Sequence, residues 1–254
     1  MSSHDFSGRV ALITGAGSGI GAELARALAL HGAQVVATDR RPDRVETVVA
    51  AWGAERDRCT VRPLDVTDRA AFAGVVGEML ATRDGVDILV NNAGVVGVPK
   101  PLAESRDEDW DRIMGVNAKG VFNGLATVLP HMIEQRSGVV LNVGSVAAVK
   151  QVAGLGVYGA SKVAVSALTR AAALEAGPFG VRVNELAPGP TLTPMVTGTP
   201  ARPTGAEKSF AREVPLGRVS TPSEQAAAGM FLLSDSASYV NGATLLVDGG
   251  LAWT

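Results

Sequence analysis

The sequence predicts an α/β fold of one domain, and three observations predict it. Apolar runs of strand length alternate with segments of helical period along the chain. The first run stops abruptly in a glycine-rich loop that opens a helix. The 254 residues, 46% hydrophobic and 19% charged, suffice for one large α/β domain or two small ones, and no break in composition marks a second. The domain is therefore expected to span residues 1–254.

Charge and cysteine usage narrow the function classes. A formal net charge of -2 leaves no basic surplus for a polyphosphate backbone, so nucleic acid is not an expected partner and the ligand should be small. The single cysteine, Cys59, rules out an internal disulfide and fits a reducing compartment. His4, His31 and His131 offer no metal-ligand spacing, so no metal is expected. Met1 to Gly8 is polar, and no later apolar run reaches the length of a membrane span, which points to the cytoplasm.

Arg9 to Thr14 is the first strand, and Gly15, Ala16, Gly17, Ser18, Gly19, Ile20 and Gly21 form the loop after it. Leu24, Ala27, Leu28 and Leu30 then fall on a helical period that His31 and Gly32 close. Glycines there let the backbone turn tightly and approach a pyrophosphate, whose charge meets the free N–H groups and positive dipole end of the helix. A glycine loop alone is a weak signal; its setting between strand and helix favours dinucleotide binding. The second strand, Gln34 to Thr38, ends in Asp39, eighteen positions beyond Gly21. A carboxylate there accepts hydrogen bonds from both ribose hydroxyls of NAD and repels the 2′-phosphate of NADP. Arg40 and Arg41 could hold that phosphate, but the carboxylate lies closer, so NAD is favoured over NADP.

A helix over Pro42 to Trp52 leads to a third strand, Thr60 to Leu64, followed by Asp65 and Val66, where the acid could meet an adenine amino group or cap a helix. Thr67 or Asp68 could equally cap the amphipathic segment carrying Phe72, Val75, Val76, Met79 and Leu80. Strand four, Asp87 to Val90, runs into Asn91, Asn92, Ala93 and Gly94, a turn whose small residues would let a cofactor pack close. Asp107 to Glu134 reads as one long helix with an apolar side that Asn117 interrupts; its amide either bridges to neighbouring backbone or holds a water. Val181 to Leu186 is a strand stopped by Pro188, Gly189, Pro190 and Thr191, where a nicotinamide would lie. A lid is expected over about residues 190–215, because Pro194 to Pro215 lacks periodicity. A helix from Ser223 to Leu233 and a strand from Ala243 to Val247 finish the sheet.

The chemistry concentrates between Ser145 and Lys162. Tyr158 and Lys162 are four apart, which stacks them on one helix face. A free tyrosine has a pKa near ~10, and a neighbouring positive charge favours its phenolate. Ser145 follows the apolar run Val139 to Val143 and stands at that strand's carboxyl end, facing the helix. Alone, the pair would more often be an ordinary surface contact.

These motifs, in this order, resemble the short-chain dehydrogenase/reductase family over almost the whole chain: Thr14-Gly15 with Gly19-Ile20-Gly21, Asn91-Asn92-Ala93-Gly94, Asn117, Ser145 thirteen residues before Tyr158, Lys162, and Pro188-Gly189. The resemblance implies a doubly wound, Rossmann-type, seven-stranded parallel sheet in three α/β/α layers. It implies Tyr158 as general acid/base, Ser145 on the substrate oxygen, Lys162 on the nicotinamide ribose and lowering the Tyr158 pKa, and Asn117 holding a relay water. It places the cofactor on Gly15, Ser18, Gly19, Ile20, Gly21, Asp39, Arg40, Asp65, Val66, Asn92, Ala93, Gly94, Tyr158, Lys162, Pro188, Gly189, Thr191 and Thr193. It further implies a homotetramer built from the long helices and the last strand. The apolar stripe from Asp107 to Glu134 and the one formed by Val163, Val165 and Leu168 are compatible with such contacts.

Substrate choice is assigned to Val95, Val96, Ala147, Val149, Gln151, Met195 and the lid beside Ser145 and Tyr158, a mostly aliphatic set. An NAD-dependent oxidoreductase interconverting a hydrophobic secondary alcohol and its ketone is the expected function. Lys150 and Lys208 could lean in toward a charged group. An NADPH-dependent 3-oxoacyl carrier-protein reductase is the competing enzyme reading, against which Asp39 argues. A non-catalytic dinucleotide-binding module is the third, against which Asn117, Ser145, Tyr158 and Lys162 argue together.

Overall fold

The computed structural model describes residues 5–83, 85–197 and 206–254. Seven strands form one parallel sheet: β1 (Val10–Thr14), β2 (Gln34–Asp39), β3 (Cys59–Pro63), β4 (Ile88–Asn91), β5 (Gly138–Val143), β6 (Val181–Pro188) and β7 (Thr244–Val247). Their spatial order is β3-β2-β1-β4-β5-β6-β7. The chain winds outward from β1 to β3, then returns past β1 to build the other half from β4. Parallel neighbours β1 and β4 therefore mark the point where the winding reverses, and a crevice opens above their carboxyl ends.

Because strands in such a sheet are covered on both faces, they read as continuous apolar runs that split with period two between two cores. Ala11, Ile13, Val35, Ala37, Ile88, Val90 and Leu141 face one core. It is completed by α1 (Gly19–Leu30), α2 (Pro42–Ala50) and α9 (Pro222–Leu233), through residues such as Leu24, Leu28, Val45 and Met230. Val10, Leu12, Val36, Leu89 and Val140 face the other, under α3 (Arg69–Arg83), α5 (Gly120–Glu134) and α6 (Gly156–Ala176), which contribute Phe72, Val76, Val121, Leu125 and Val165. This is the expected three-layer, doubly wound architecture.

Three local outcomes sharpen the sequence expectations. Asp68, rather than Thr67, starts α3: its Oδ1 accepts from the Ala70 and Ala71 N–H groups at 2.8 and 3.0 Å. The single helix expected over 107–134 is α4 (Asp107–Met114), a π-helical turn at Gly115–Lys119, then α5. That turn takes in one residue more than an α-helix would. Thirdly, the stretch expected to lack structure carries two short helices, α7 (Pro194–Thr197) and α8 (Ala206–Glu213); the remainder of the expected lid, 198–205, lies outside the described residues. α8 is strongly amphipathic, a pattern too short to register in a window containing so many prolines and glycines. The two feet of this segment meet where Thr191 and Ser220 pair side by side in a β-bridge. No helix among the described residues is long and apolar enough to cross a membrane.

Candidate active site

The floor of the crevice is a hydrogen-bonded seam between β1 and β4. The buried Thr14 hydroxyl accepts from the Asn92 and Ala93 N–H groups, both at 3.1 Å. Asn92 Nδ2 donates back to Thr14 O and Gly15 O, at 2.9 and 3.0 Å. One strand further, Asn91 Nδ2 donates to Asn142 Oδ1 at 2.9 Å, and Asn142 Nδ2 to Thr169 Oγ1 on α6 at 2.9 Å. The paired asparagines are thus ties across strand ends as well as a turn, fixing the strand ends that floor the cleft.

Above this floor lies a cleft of about 1140 Å³, into which most of the expected residues converge. At one end are Gly15, Ser18, Gly19 and Ile20, with Asp39, Arg40, Asp65 and Val66. Asn92, Ala93 and Gly94 line its middle; Ser145, Ala147, Tyr158, Lys162, Pro188, Gly189, Thr191, Thr193 and Met195 line the other end.

The glycine loop fits a dinucleotide pyrophosphate. Gly15 and Gly19 have φ of 67° and 57°, and a Cβ on Gly15 would lie 2.8 Å from Ala93 Cα. Ser18 precedes α1 without capping it through its side chain, so the first-turn N–H groups are left for an anion. Gly21 does not line the cleft. Its missing side chain makes room for Asn92 Nδ2, 2.3 Å from where a Cβ would stand, so it serves close packing.

Asp39 is fixed by two backbone donors, the Arg41 N–H at 2.9 Å and the Gly17 N–H at 3.4 Å. Arg41 is paired with Asp43 at 3.1 Å. Asp65 Oδ1 accepts from the hydroxyl and N–H of Thr67, at 2.7 and 2.9 Å, and these bonds hold its carboxyl below the usual carboxylate range.

At the end of the cleft away from Asp39, the chain leaving β5 delivers Ser145 and α6 delivers Tyr158 and Lys162. The Ser145 side chain accepts the Ala147 N–H at 3.1 Å, which turns its own hydrogen toward other partners. Lys162 is buried, and its Nζ donates to Val143 O at 2.8 Å and sits 5.8 Å from the centre of the Tyr158 ring. Burial pushes this ammonium down to about 8, against the opposing pull of the Glu185 carboxylate.

The π-turn explains Asn117. It faces inward, where Oδ1 accepts the Val95 N–H at 2.8 Å and Nδ2 donates to Val95 O at 2.9 Å and Ser161 Oγ at 3.0 Å. Of the two sequence alternatives, the bridge to neighbouring backbone is the one observed. Gly94 lies beside this amide, since a Cβ there would stand 3.4 Å from Asn117 Oδ1 and 3.6 Å from Lys162 Nζ.

Some assignments change. Gln151 donates to Ala147 O at 2.9 Å with its Oε1 against Gly159; neither it nor the exposed Val149 lines the cleft. Lys150 does line it, but its ammonium is held by Leu251 O and Thr254 O, at 3.1 and 2.9 Å, while Lys208 stays outside. Val165 belongs to the core and Leu168 packs against it, leaving Val163 as the exposed member of that stripe. Val152, Leu155, Val196, Phe210 and Leu251 complete the apolar wall and were not singled out in the sequence, because contacts between separate loops leave no periodic trace. Ser161 and Glu185 were missed too; an acid inside the apolar run Val181 to Leu186 was the available signal.

A family model described as enoyl-(acyl carrier protein) reductase matches residues 15–252. The chain belongs to the short-chain dehydrogenase/reductase family. It is 39% identical over 244 residues to a 3-oxoacyl-[acyl-carrier-protein] reductase of Thermotoga maritima, covering 96% of this chain and 98% of the relative. It is 40% identical over 245 residues to a cis-4-hydroxycyclohexanecarboxylate dehydrogenase of Sinomonas cyclohexanicum, covering 96% and 97%. Among solved structures, a 3-ketoacyl-(acyl-carrier-protein) reductase from Brucella melitensis complexed with NADH superposes with a TM-score of 0.91, at 36% identity, covering 98% of this chain and 100% of that one. This short-chain dehydrogenase/reductase is accordingly an oxidoreductase of the family that binds NAD(P) and acts on CH–OH groups.

Proposed function

We propose that the protein is an NAD-dependent dehydrogenase that interconverts a hydrophobic secondary alcohol and its ketone. The observation that carries this reading is the convergence of Ser145, Tyr158 and Lys162 in the same cleft as the glycine loop and Asp39. NAD, when bound, supplies the hydride acceptor at the far end of the cleft from Asp39. The protein supplies the rest. Ser145 donates to the substrate oxygen, the Tyr158 phenolate takes the hydroxyl proton, and the Lys162 ammonium steadies the anionic oxygen and the ribose. Both amide hydrogens of Asn117 are already donated, so a relay water there would have to donate to one of its oxygens.

Val95, Val96, Met195, Val196 and Leu251 give the substrate end an aliphatic wall, while the Lys150 ammonium is taken up by the C-terminal carbonyls and Lys208 stands outside the cleft. Purified protein should reduce NAD with hydrophobic secondary alcohols, or oxidise NADH with their ketones, followed by nicotinamide absorbance. Cofactor binding with no turnover on any such compound would overturn the reading in favour of a non-catalytic binding module. The reductase relative at 39% identity makes a 3-oxoacyl thioester the second substrate class to test, with NADPH as well as NADH.

The proposal includes a homotetramer. Trp110, Phe122, Val163 and Leu174 are exposed on α4, α5 and α6, an apolar face that association would cover. Light scattering should give roughly four times the 26.0 kDa chain mass; a monodisperse monomer would refute it.

A further inference from the structure

We propose that Glu185 is a positioning residue of this active site: its buried carboxylate, fixed between Ser166 and Thr244 behind Gly144, supplies the negative charge that keeps Lys162 an ammonium. The inference rests on the dehydrogenase reading for its meaning but not for its test.

Glu185 is wholly buried in the middle of β6, between Asn142 of β5 and Thr244 of β7 in the sheet register. A carboxylate taken out of water is costly unless hydrogen-bonded or paired, so a buried one calls for a reason. Its Oε1 accepts from Ser166 Oγ at 3.0 Å and its Oε2 from Thr244 Oγ1 at 2.8 Å. The backbone is shaped to admit it: a Cβ on Gly144 would fall 1.8 Å from Oε1, so only glycine leaves room there. Gly144 separates Val143, whose carbonyl receives the Lys162 ammonium, from Ser145. Ser166 lies one helical turn beyond Lys162 on α6 and touches the Lys162 carbonyl at 3.3 Å. The acid thus stands directly behind the segment that presents Ser145 and Lys162.

No ion pair among the described residues joins Glu185 to Lys162; the acid reaches it as a buried charge one side chain away, through Ser166, which touches both the carboxylate and the Lys162 carbonyl. Among the described residues, the charged groups acting on the Glu185 carboxylate are Lys162 and Arg170, both from α6; the neighbouring strands offer Asn142 and the Thr244 hydroxyl. Burial raises the carboxyl, while the two hydroxyl donors and the two cations pull it back toward the ionised form. In return its charge resists the burial that strips Lys162 of its proton. Without the acid, the ammonium would be lost at a lower pH, and with it the grip on the ribose and the bias of Tyr158 toward phenolate.

The test uses cofactor-free protein labelled with 13C-lysine, following the Lys162 ε-carbon from pH 6 to 11, with Lys162→Met to assign the signal. Glu185→Gln preserves shape and an acceptor for Ser166 while removing charge. The Lys162 titration should move down by at least about half a pH unit, and the basic limb of kcat/KM should move with it. Should Glu185→Gln fail to fold, Ser166→Ala, which removes one donor to the carboxylate, should shift the titration in the same direction by less. An unmoved or raised Lys162 titration in a folded variant overturns the proposal, even if melting temperature or rate falls. Absence of turnover in the unmodified protein would strike the dehydrogenase reading alone, because the titration is read without substrate.

Discussion

Tyr158→Phe is expected to lower kcat by roughly a thousandfold, within the range of about 10²–10⁴ that a positioned proton-transfer group contributes. The change removes one oxygen and leaves the ring, so packing at the start of α6 and the approach of Lys162 to the ring face stay in place. NADH should bind within about threefold of the unmodified protein, as measured by fluorescence, since the loss falls on a step and not on the complex. If a tenth or more of the rate survives, Tyr158 is not the proton donor and acceptor. The acidic limb of the pH profile separates the alternatives further. A group that must be phenolate for oxidation imposes a loss of rate as pH falls, and Tyr158→Phe should flatten that limb.

Replacing Asp39 should have the second largest effect. In Asp39→Ser the ribose hydroxyls lose bonds to a charged acceptor, worth about 1.5–3 kcal/mol, so kcat/KM for NAD should fall by roughly tenfold to a hundredfold. Removal of the like charge facing a 2′-phosphate should raise kcat/KM for NADP by a similar factor, with Arg40 at hand to receive it. The ratio of the two therefore moves by roughly 10³. Of the two N–H groups that aim the carboxylate, that of Arg41 is exposed, so water can replace its acceptor, and that of the buried Gly17 loses only a long contact of 3.4 Å. An unmodified enzyme already as active with NADP as with NAD would contradict the assigned role of Asp39.

The sheet was legible from the amino acids because its central strands β1, β4 and β5 are nearly continuous apolar runs, the signature of burial on both faces, whereas the edge strand β3 is more polar and has no buried residue; winding order and sheet geometry came from family resemblance. The residues of the candidate site were legible for a different reason. Tyr158 and Lys162 share one helix face by spacing, and Ser145 is placed by the end of a strand. What escaped was whatever depends on contacts between distant segments. Gln151 looked like a substrate ligand by its polarity, but Gly159 opens a pocket that draws its amide onto α6. Glu185 was hidden by its setting, since its significance comes from Gly144 and Ser166, 41 and 19 positions upstream.

The π-turn at Gly115–Lys119 has a bearing on how the two halves of its helical rod are used. One added residue slips the angular phase by about 100°, so stripes before and after it cannot be drawn as one line. The leading half rims the opening with Arg112 and Met114; the trailing half sinks Val121, Leu125 and Val128 into the interior. Selection can accordingly vary the rim to suit a new molecule while the interior half stays constant, because the slip uncouples their sequence constraints.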